Sequence, residues 1–329
     1  MKQIERVEFV DLAKGICIIL VVLSHCDVDI AVPFEHLRIP LYFVLSGLFF
    51  KTYGGIRELV VKKVNRLLVP FVSFYGASIA LILFASWALM WFKGVSIFIG
   101  EERFTSGLFT PGFLFTNAPL WFLLSLFWCN LIFAIIKIYI KRRSVQLLFI
   151  GLIAVVGCYF GYYQLFLPLY IASSLTALPF FCLGYYLQKT SILRASRHDR
   201  LFLAISIVLI LTTSVIAKYN TLYFQFGLNK VHGNALLIYL LSSVSVVALL
   251  GVCKAIGRLP TISYIGKYSI VILCTHLIFA KAIFLFSSAV NWECSNLLVF
   301  IIVMIISTIS IPLFIKYAPY IVAQKDLFK

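Results

Sequence analysis

Charge is what this sequence has least of. Only 12% of its 329 residues are charged and 62% are hydrophobic, against roughly 25% and 45–50% in soluble domains, which excludes a water-soluble globule. Acidic residues are the scarcer sign, with 12 Asp and Glu against 28 Lys and Arg. No long polar linker or low-complexity tract interrupts the apolar runs, so residues 1–329 read as a single membrane domain. The eight cysteines lack metal-ligand spacing, and no metal is expected. Cys17, Cys129, Cys158, Cys182, Cys253 and Cys274 fall within or beside apolar runs and read as packing residues, leaving Cys26 and Cys294 to reach the outer face. A cleavable leader is missing too: Glu5, Glu8 and Asp11 stand where such a leader carries only positive charge. The first apolar helix is therefore expected to stay as an anchor.

What is present is a series of apolar runs. About ten spans are expected, at 9–25, 39–50, 69–92, 119–140, 145–162, 165–187, 201–217, 233–253, 262–287 and 297–318. The fold class is all-α, a polytopic membrane bundle. The net charge of +16 sits mostly in alternate loops: Lys51, Arg57, Lys62, Lys63 and Arg66; Lys141, Arg142 and Arg143; Lys189, Arg194, Arg197 and Arg200; Lys254, Arg258 and Lys267. By the positive-inside rule that side is cytoplasmic, and an even span count puts both termini there. The excess charge reflects topology and attraction to a lipid bilayer, not nucleic-acid binding. Arg38, Lys93, Arg103, Lys218 and Lys230 are left to the outer loops.

Chemistry is expected along the first helix. In AKGICIILVVLSH, Lys14 and His25 are eleven residues apart. That is about three turns and ~16 Å of rise, so the two side chains stack on one face. Ionisable groups inside hydrocarbon cost on the order of 3 kcal/mol or more and mark function by default. Asp11 lies a turn below Lys14 and can pair with it, while Asp27 follows His25 closely enough to orient its ring. An interhelical hydrogen bond is the plainer role for a membrane histidine. His276, in GKYSIVILCTH, is a second intramembrane histidine that either orients substrate or caps a helix contact. His36 and His198 read as solvated, and His232 as an outer-loop residue without a visible partner.

Three further features qualify this reading. KTYGGIRELVVKKVNRLLVPF sets Arg57, Lys62, Lys63 and Arg66 partly along one face of a short helix expected to end at Pro70. This is the best anion-binding surface in the chain, although a lipid-binding stop signal is the commoner meaning of such a cluster. In LYFVLSGLFF, Ser46 and Gly47 are the small residues, and close helix approach explains them without a nucleophilic serine. The long outer segment 93–118, which includes Glu101, Glu102 and Asn117, suits either a lid over a polar substrate or a cap sealing the bundle.

EFVDLAKGICIILVVLSH resembles the first helix of the acyltransferase family 3 membrane proteins, with Arg or Lys, ten residues, then His. HLRIPLYFVLSG, KKVNRLLVPF, APLWFLLSLFW, LTALPFFCLGYYL and GKYSIVILCTH resemble that family's later segments, in order. The resemblance implies a membrane O-acyltransferase of the bacterial cytoplasmic membrane, in stand-alone form without a fused extracytoplasmic domain. Its donor would be cytoplasmic acyl-CoA, commonly acetyl-CoA. Its acceptor would be a hydroxyl of an extracytoplasmic carbohydrate or lipid-linked glycan. His25 would be the essential histidine, with Lys14 and Asp11 beside it; Lys14, Ser46, Lys62, Lys63 and Arg66 would hold the donor. Asp27, Asn117, Trp121 and His276 would meet the acceptor. From residues alone, a glycan or lipid transporter and a receptor without turnover stay open alternatives.

Overall fold

The computed structural model describes residues 8–94, 100, 102–188, 190, 200–289 and 292–328. Glu5, Glu101, Lys189, Arg194, Arg197 and His198 of the sequence reading lie outside the described residues. The chain is 78% helical. Its helices are α1 (Glu8–His25), α2 (Glu35–Leu48), α3 (Ile56–Lys63), α4 (Val69–Lys93), α5 (Glu102–Thr105), α6 (Trp121–Tyr139) and α7 (Arg143–Tyr162). After these come α8 (Ile171–Leu187), α9 (Arg200–Tyr219), α10 (Ala235–Ile256), α11 (Pro260–Lys267), α12 (Ser269–Ala289) and α13 (Asn296–Tyr317). A short antiparallel hairpin, β1 (Tyr223–Gln225) and β2 (Lys230–His232), departs from the all-α pattern between α9 and α10.

Backbone polar groups find no partner in hydrocarbon, so apolar runs of this length close their hydrogen bonds internally as helices. Among the described residues, eight helical stretches are long and apolar enough to cross a membrane. Neither α1 nor α2 is among them. The first carries Glu8, Asp11 and Lys14 within its 18 residues, and the second has only 14 residues. Both therefore need protein around them. Over α6, 72% of the apolar window is buried, whereas α9 and α13 bury only 22% and 28% of theirs and form the outer wall. The chain is a multi-pass membrane protein.

The helix expected to stop at Pro70 does not stop. A π-helical turn, Val64–Leu68, joins α3 to α4, and Pro70 falls in the first turn of α4. There the missing N–H of proline costs least, and the widened turn carries the helix through.

Glycines set the central contacts. A Cβ on Gly47 of α2 would stand 1.9 Å from the Phe181 carbonyl oxygen of α8, and one on Gly184 of α8 would stand 1.9 Å from the Val44 oxygen of α2. The close approach read from Gly47 is thus reciprocal. A second pair joins α1 to α11, where a Cβ on Gly266 would lie 1.8 Å from the Asp11 oxygen and one on Gly15 would lie 2.1 Å from the Ile262 oxygen. Backbone meets backbone at both places, so no side chain can rotate away. Gly184→Val is expected to cost at least the ~1–3 kcal/mol typical of overpacking, seen as a lowered melting temperature in detergent; an unchanged melting temperature would refute the contact.

Candidate active site

A cavity of about 260 Å³ opens between α1, α2, α6, α12 and the π-turn. Lys14, Ser46 and Lys63 line it together with Tyr42, Phe49, Phe122 and Ser269. Three of the residues expected to hold a donor thus share one wall. The Tyr42 hydroxyl donates to the Lys14 carbonyl at 3.2 Å, tying α2 to α1 at the cavity floor. The Lys14 ammonium stands 5.8 Å from the centre of the Phe49 ring, a cation–π distance. Cations at the foot with apolar walls above suit a ligand with an anionic head and an apolar stem.

The other two expected donor residues face elsewhere. Lys63 and Leu67 line the cavity, while Lys62 and Arg66 occupy the adjacent stripe, about 100° around the helix. Asp326 meets both, at 2.8 Å from Lys62 and 3.6 Å from Arg66, and Arg66 also donates to the Ala323 carbonyl. Buried Asn65 clasps the same segment: its Oδ1 accepts from the Leu327 and Phe328 amides at 2.7 and 2.8 Å, and its Nδ2 donates to the Phe328 carbonyl at 2.8 Å. The basic cluster is therefore divided, with Lys63 facing inward and Lys62 and Arg66 holding residues 323–328.

About three turns up α1 from Lys14, the His25 ring faces His276 of α12, with centroids 5.2 Å apart and planes tilted by 45°. The His276 Nδ1 lies 2.7 Å from the Ile272 carbonyl, so that nitrogen donates and Nε2 is left as the acceptor, buried and without a hydrogen-bond partner. Other unsatisfied polar atoms surround the pair. Asn117 donates to the Cys274 carbonyl at 2.8 Å and to Ser78 at 3.3 Å, but its Oδ1 has no partner. Lys281 donates to the Thr116 carbonyl at 2.9 Å, and the Thr116 hydroxyl is unpaired. Arg38, 17% exposed and bonded to Glu35 at 3.3 Å, keeps its Nη1 buried and unpaired. Lys281 lies on α12 with His276, and Arg38 lies on α2. Buried polar atoms are normally satisfied, so a cluster of orphans marks a place where something else binds.

Several sequence expectations need correction. Asp27 does not orient the His25 ring, which faces His276 instead; Asp27 is exposed in the turn after α1 and its carbonyl accepts from Asn296 at 3.0 Å. His36 is not solvated. It is 1% exposed and bonds Ser245 at 2.8 Å, because α2 begins one turn before the apolar run does. His232 has a partner after all, stacking on Tyr223 at 4.4 Å across the hairpin. Cys26 is fully buried and does not reach the outer face. Asp11 lies on α1 with its carbonyl against Gly266, away from the cavity lining. Trp121 opens α6 and stacks on Phe226, while its neighbour Phe122 lines the Lys14 cavity. Arg38 and Lys281 give no such signal in the sequence, one falling in an expected loop and the other hidden in an apolar run.

Among the described residues no group of three or more His, Cys, Asp or Glu side chains is placed to hold a metal ion. The family model described as "Acyltransferase domain" matches residues 7–316, nearly the whole chain. The chain belongs to acyltransferase family 3. No curated protein and no solved structure gives a significant match.

The clasp on residues 323–328 gives a test of its own. The hydrogen bond from Lys62 holds the Asp326 carboxyl below its ordinary range. A depressed carboxylate contributes while ionised and loses its effect only as pH falls through the lowered value, so the link persists from neutral pH down to about 5. Asn65→Ala removes the three hydrogen bonds to this segment, at about 1 kcal/mol each, besides one to the Val61 carbonyl within its own helix. Amide exchange at Leu327 and Phe328 should then rise by about two decades. Unaltered exchange would show that the clasp does not hold the segment.

Proposed function

We propose that this acyltransferase moves an acyl group, acetyl by preference, from cytoplasmic acyl-CoA to a hydroxyl of an extracytoplasmic carbohydrate or lipid-linked glycan. The observation that carries the reading is the placement of Lys14, Lys63 and Ser46 around one cavity at one end of α1, with the His25–His276 pair at the other. In this reading α1 and α2 cross the bilayer with the eight apolar stretches to make ten spans. The basic end faces the cytoplasm of a bacterial cell, with both termini there.

The donor's phosphates would meet Lys14 and Lys63, and its slender pantetheine arm would rise along α1 past Phe49 and Phe122. Leu273 of the cavity wall is one turn below His276, so the arm is directed at the histidines. There His25 takes the proton of the acceptor hydroxyl as the oxygen attacks the thioester carbonyl. The carbon–sulfur bond then breaks and the proton passes to the leaving thiolate, giving an ester and a free thiol. The unpartnered Nε2 of His276 is suited to accept an N–H from His25, leaving the second nitrogen of His25 as the base. In the alternative course His25 carries the acyl group transiently. Arg38 and Lys281 supply positive charge where the tetrahedral oxyanion forms.

His25→Ala is expected to lower transfer by roughly 10²–10⁴ if it is a general base, and by more if it carries the acyl group, with expression and insertion retained. Near-native turnover of labelled acetyl-CoA onto a host glycan extract would place the active site elsewhere. His276→Gln should shift the pH–rate profile with little change in either KM; an unmoved profile would leave His276 a packing residue. For the donor, Lys63→Gln should raise the acyl-CoA KM about tenfold, the share of one charge contact, while Lys62→Gln does so much less because Lys62 is already paired. Equal effects of the two would remove the distinction between the inward and outward stripes.

A further inference from the structure

A second cavity, of about 330 Å³, lies at the His25 end of the bundle, between the loops that follow α5, α7 and α9. It falls within the ~300–1,000 Å³ of small-molecule sites. No residue lining it belongs to the histidine pair or the Lys14 cavity.

Its wall is built at a cost. Gln164, Tyr170 and Asn229 all line it and all hold left-handed backbone, with φ of 53°, 59° and 48°. Gly107 and Gly112, at φ 78° and 138°, complete the wall. A non-glycine residue held left-handed carries about 1–3 kcal/mol of strain, and such residues gather where a shape is needed. The chain fixes the arrangement tightly. Asn229 accepts from the Thr176 hydroxyl at 2.8 Å and donates to the Gly157 carbonyl at 3.0 Å, and the Leu169 amide donates to the Leu108 carbonyl at 2.8 Å.

The chemistry of the wall selects its occupant. The first turn of α8 reaches the cavity at Ala172 and Ser173, its N-cap residue Tyr170 gives no side-chain cap, and the Ser173 hydroxyl is spent on the Phe226 carbonyl. The dipole of that 17-residue helix favours an anion at this end. Lys230 adds a full positive charge, and no Asp or Glu lines the cavity. Tyr170 is 5% exposed, and among the described residues its hydroxyl proton finds no acceptor. Gln164, whose Nε2 donates to the Gly161 carbonyl and whose Oε1 remains as an acceptor, and the Phe166 and Tyr170 rings offer the mixed polar and aromatic surface on which a sugar ring sits. Trp121 links the cavity to the interior: its ring stacks on Phe226 and adjoins Gly227 of the cavity wall, and the next residue, Phe122, lines the Lys14 cavity.

We propose that this cavity is an anchoring subsite for an acidic saccharide, with the carboxylate or phosphate at Lys230 and the α8 N-terminus and the sugar ring against Gln164 and Tyr170. The acceptor would be held here while a hydroxyl further along it reaches His25, so the role, though not the binding, rests on the acyltransferase reading.

The test is ligand binding to the full-length protein in detergent, measured by saturation-transfer NMR with glucuronate, glucose 6-phosphate and glucose as probes. Binding of one or both anionic sugars at least tenfold tighter than glucose supports the subsite, and which of the two binds identifies carboxylate or phosphate as the anchor. Lys230→Gln should weaken that binding about tenfold, Lys230→Arg should restore most of it, and Lys218→Gln, at a neighbouring cavity, should leave it intact. Gln164→Glu, which sets a negative charge in the wall, should weaken it as well and serves if Lys230→Gln fails to fold. Equal affinity for glucose and its acidic counterparts, or affinity indifferent to both Lys230→Gln and Gln164→Glu, overturns the proposal. Intact saccharide binding without acyl transfer would count against the acyltransferase reading instead.

Discussion

A helix that carries Glu8, Asp11 and Lys14 cannot face hydrocarbon, and the placement of α1 constrains the rest of the protein. Its lower half is pressed backbone to backbone on α11 through Gly15 and Gly266, so the short helix before α12 fixes the height of Lys14. Next to it α2, too short to cross on its own, is locked to α8 through Gly47 and Gly184. With no hydrophobic drive between helices inside a bilayer, contacts of this kind depend on close packing of small residues. The two locks have a functional corollary. Lys14 is on one locked helix and Ser46, beside Gly47, is on the other, so the width of the cavity between them is set by backbone contact and not by adaptable side chains.

The same end shows how one basic segment serves two purposes. Residues 62 and 66 form an outer stripe of the helix, and residues 63 and 67 form an inner one. Asp326 answers the outer stripe with a carboxylate, while the inner stripe lines the cavity. Without Asp326, three cations would crowd the π-turn and repel one another. Placed as it is, the carboxylate relieves that repulsion on the outer stripe and leaves the Lys63 side turned to the cavity. The Asn65 clasp specifies which segment supplies the carboxylate, since its hydrogen bonds are to backbone and hold residues 327 and 328 whatever their side chains.

Much of this is legible in the sequence where the signal is periodic. Helical geometry alone puts His25 about three turns above Lys14, and Gly47 amid bulky neighbours marks a close approach. The apolar runs locate most helices to within a few residues, apart from the run expected as one span at 262–287, which breaks at Tyr268 into α11 and α12, and apart from α2. That helix starts early because Glu35 and Arg38, three residues apart, pair on its surface and extend it into what the hydropathy reads as loop. The early start is why Arg38 and His36 have the sequence signature of loop residues. Lys281 escapes notice for the opposite reason, being a single cation inside a long apolar run, and its partner, the Thr116 carbonyl, is a backbone group that no side-chain pattern reveals. The pairing of His25 with His276, and the outer cavity built from three separate loops, are tertiary facts with no local signature.

The two ends of the site are related by two helices that carry matching stripes. On α12, Ser269, Leu273 and His276 follow at intervals of four and three and so share a face. On α1, Lys14 and His25 do the same over a longer rise. Ser269 and Lys14 both line the cavity, and the histidines meet above it, so the two stripes run alongside each other from cavity to ring pair. The cavity lining on α12 reaches Leu273, one turn short of His276. Beyond it the aromatic rings of Phe122, Phe43, Phe226 and Trp121 contact one another in sequence, with centroids 5.3, 5.6 and 6.4 Å apart, and divide the Lys14 cavity from the outer one. One continuous wet passage through a membrane protein would let ions and protons through. A layer of buried rings offers no hydrogen bonds to a file of water. The aromatic layer therefore sets an apolar partition between the two cavities, with the histidine pair lining neither of them.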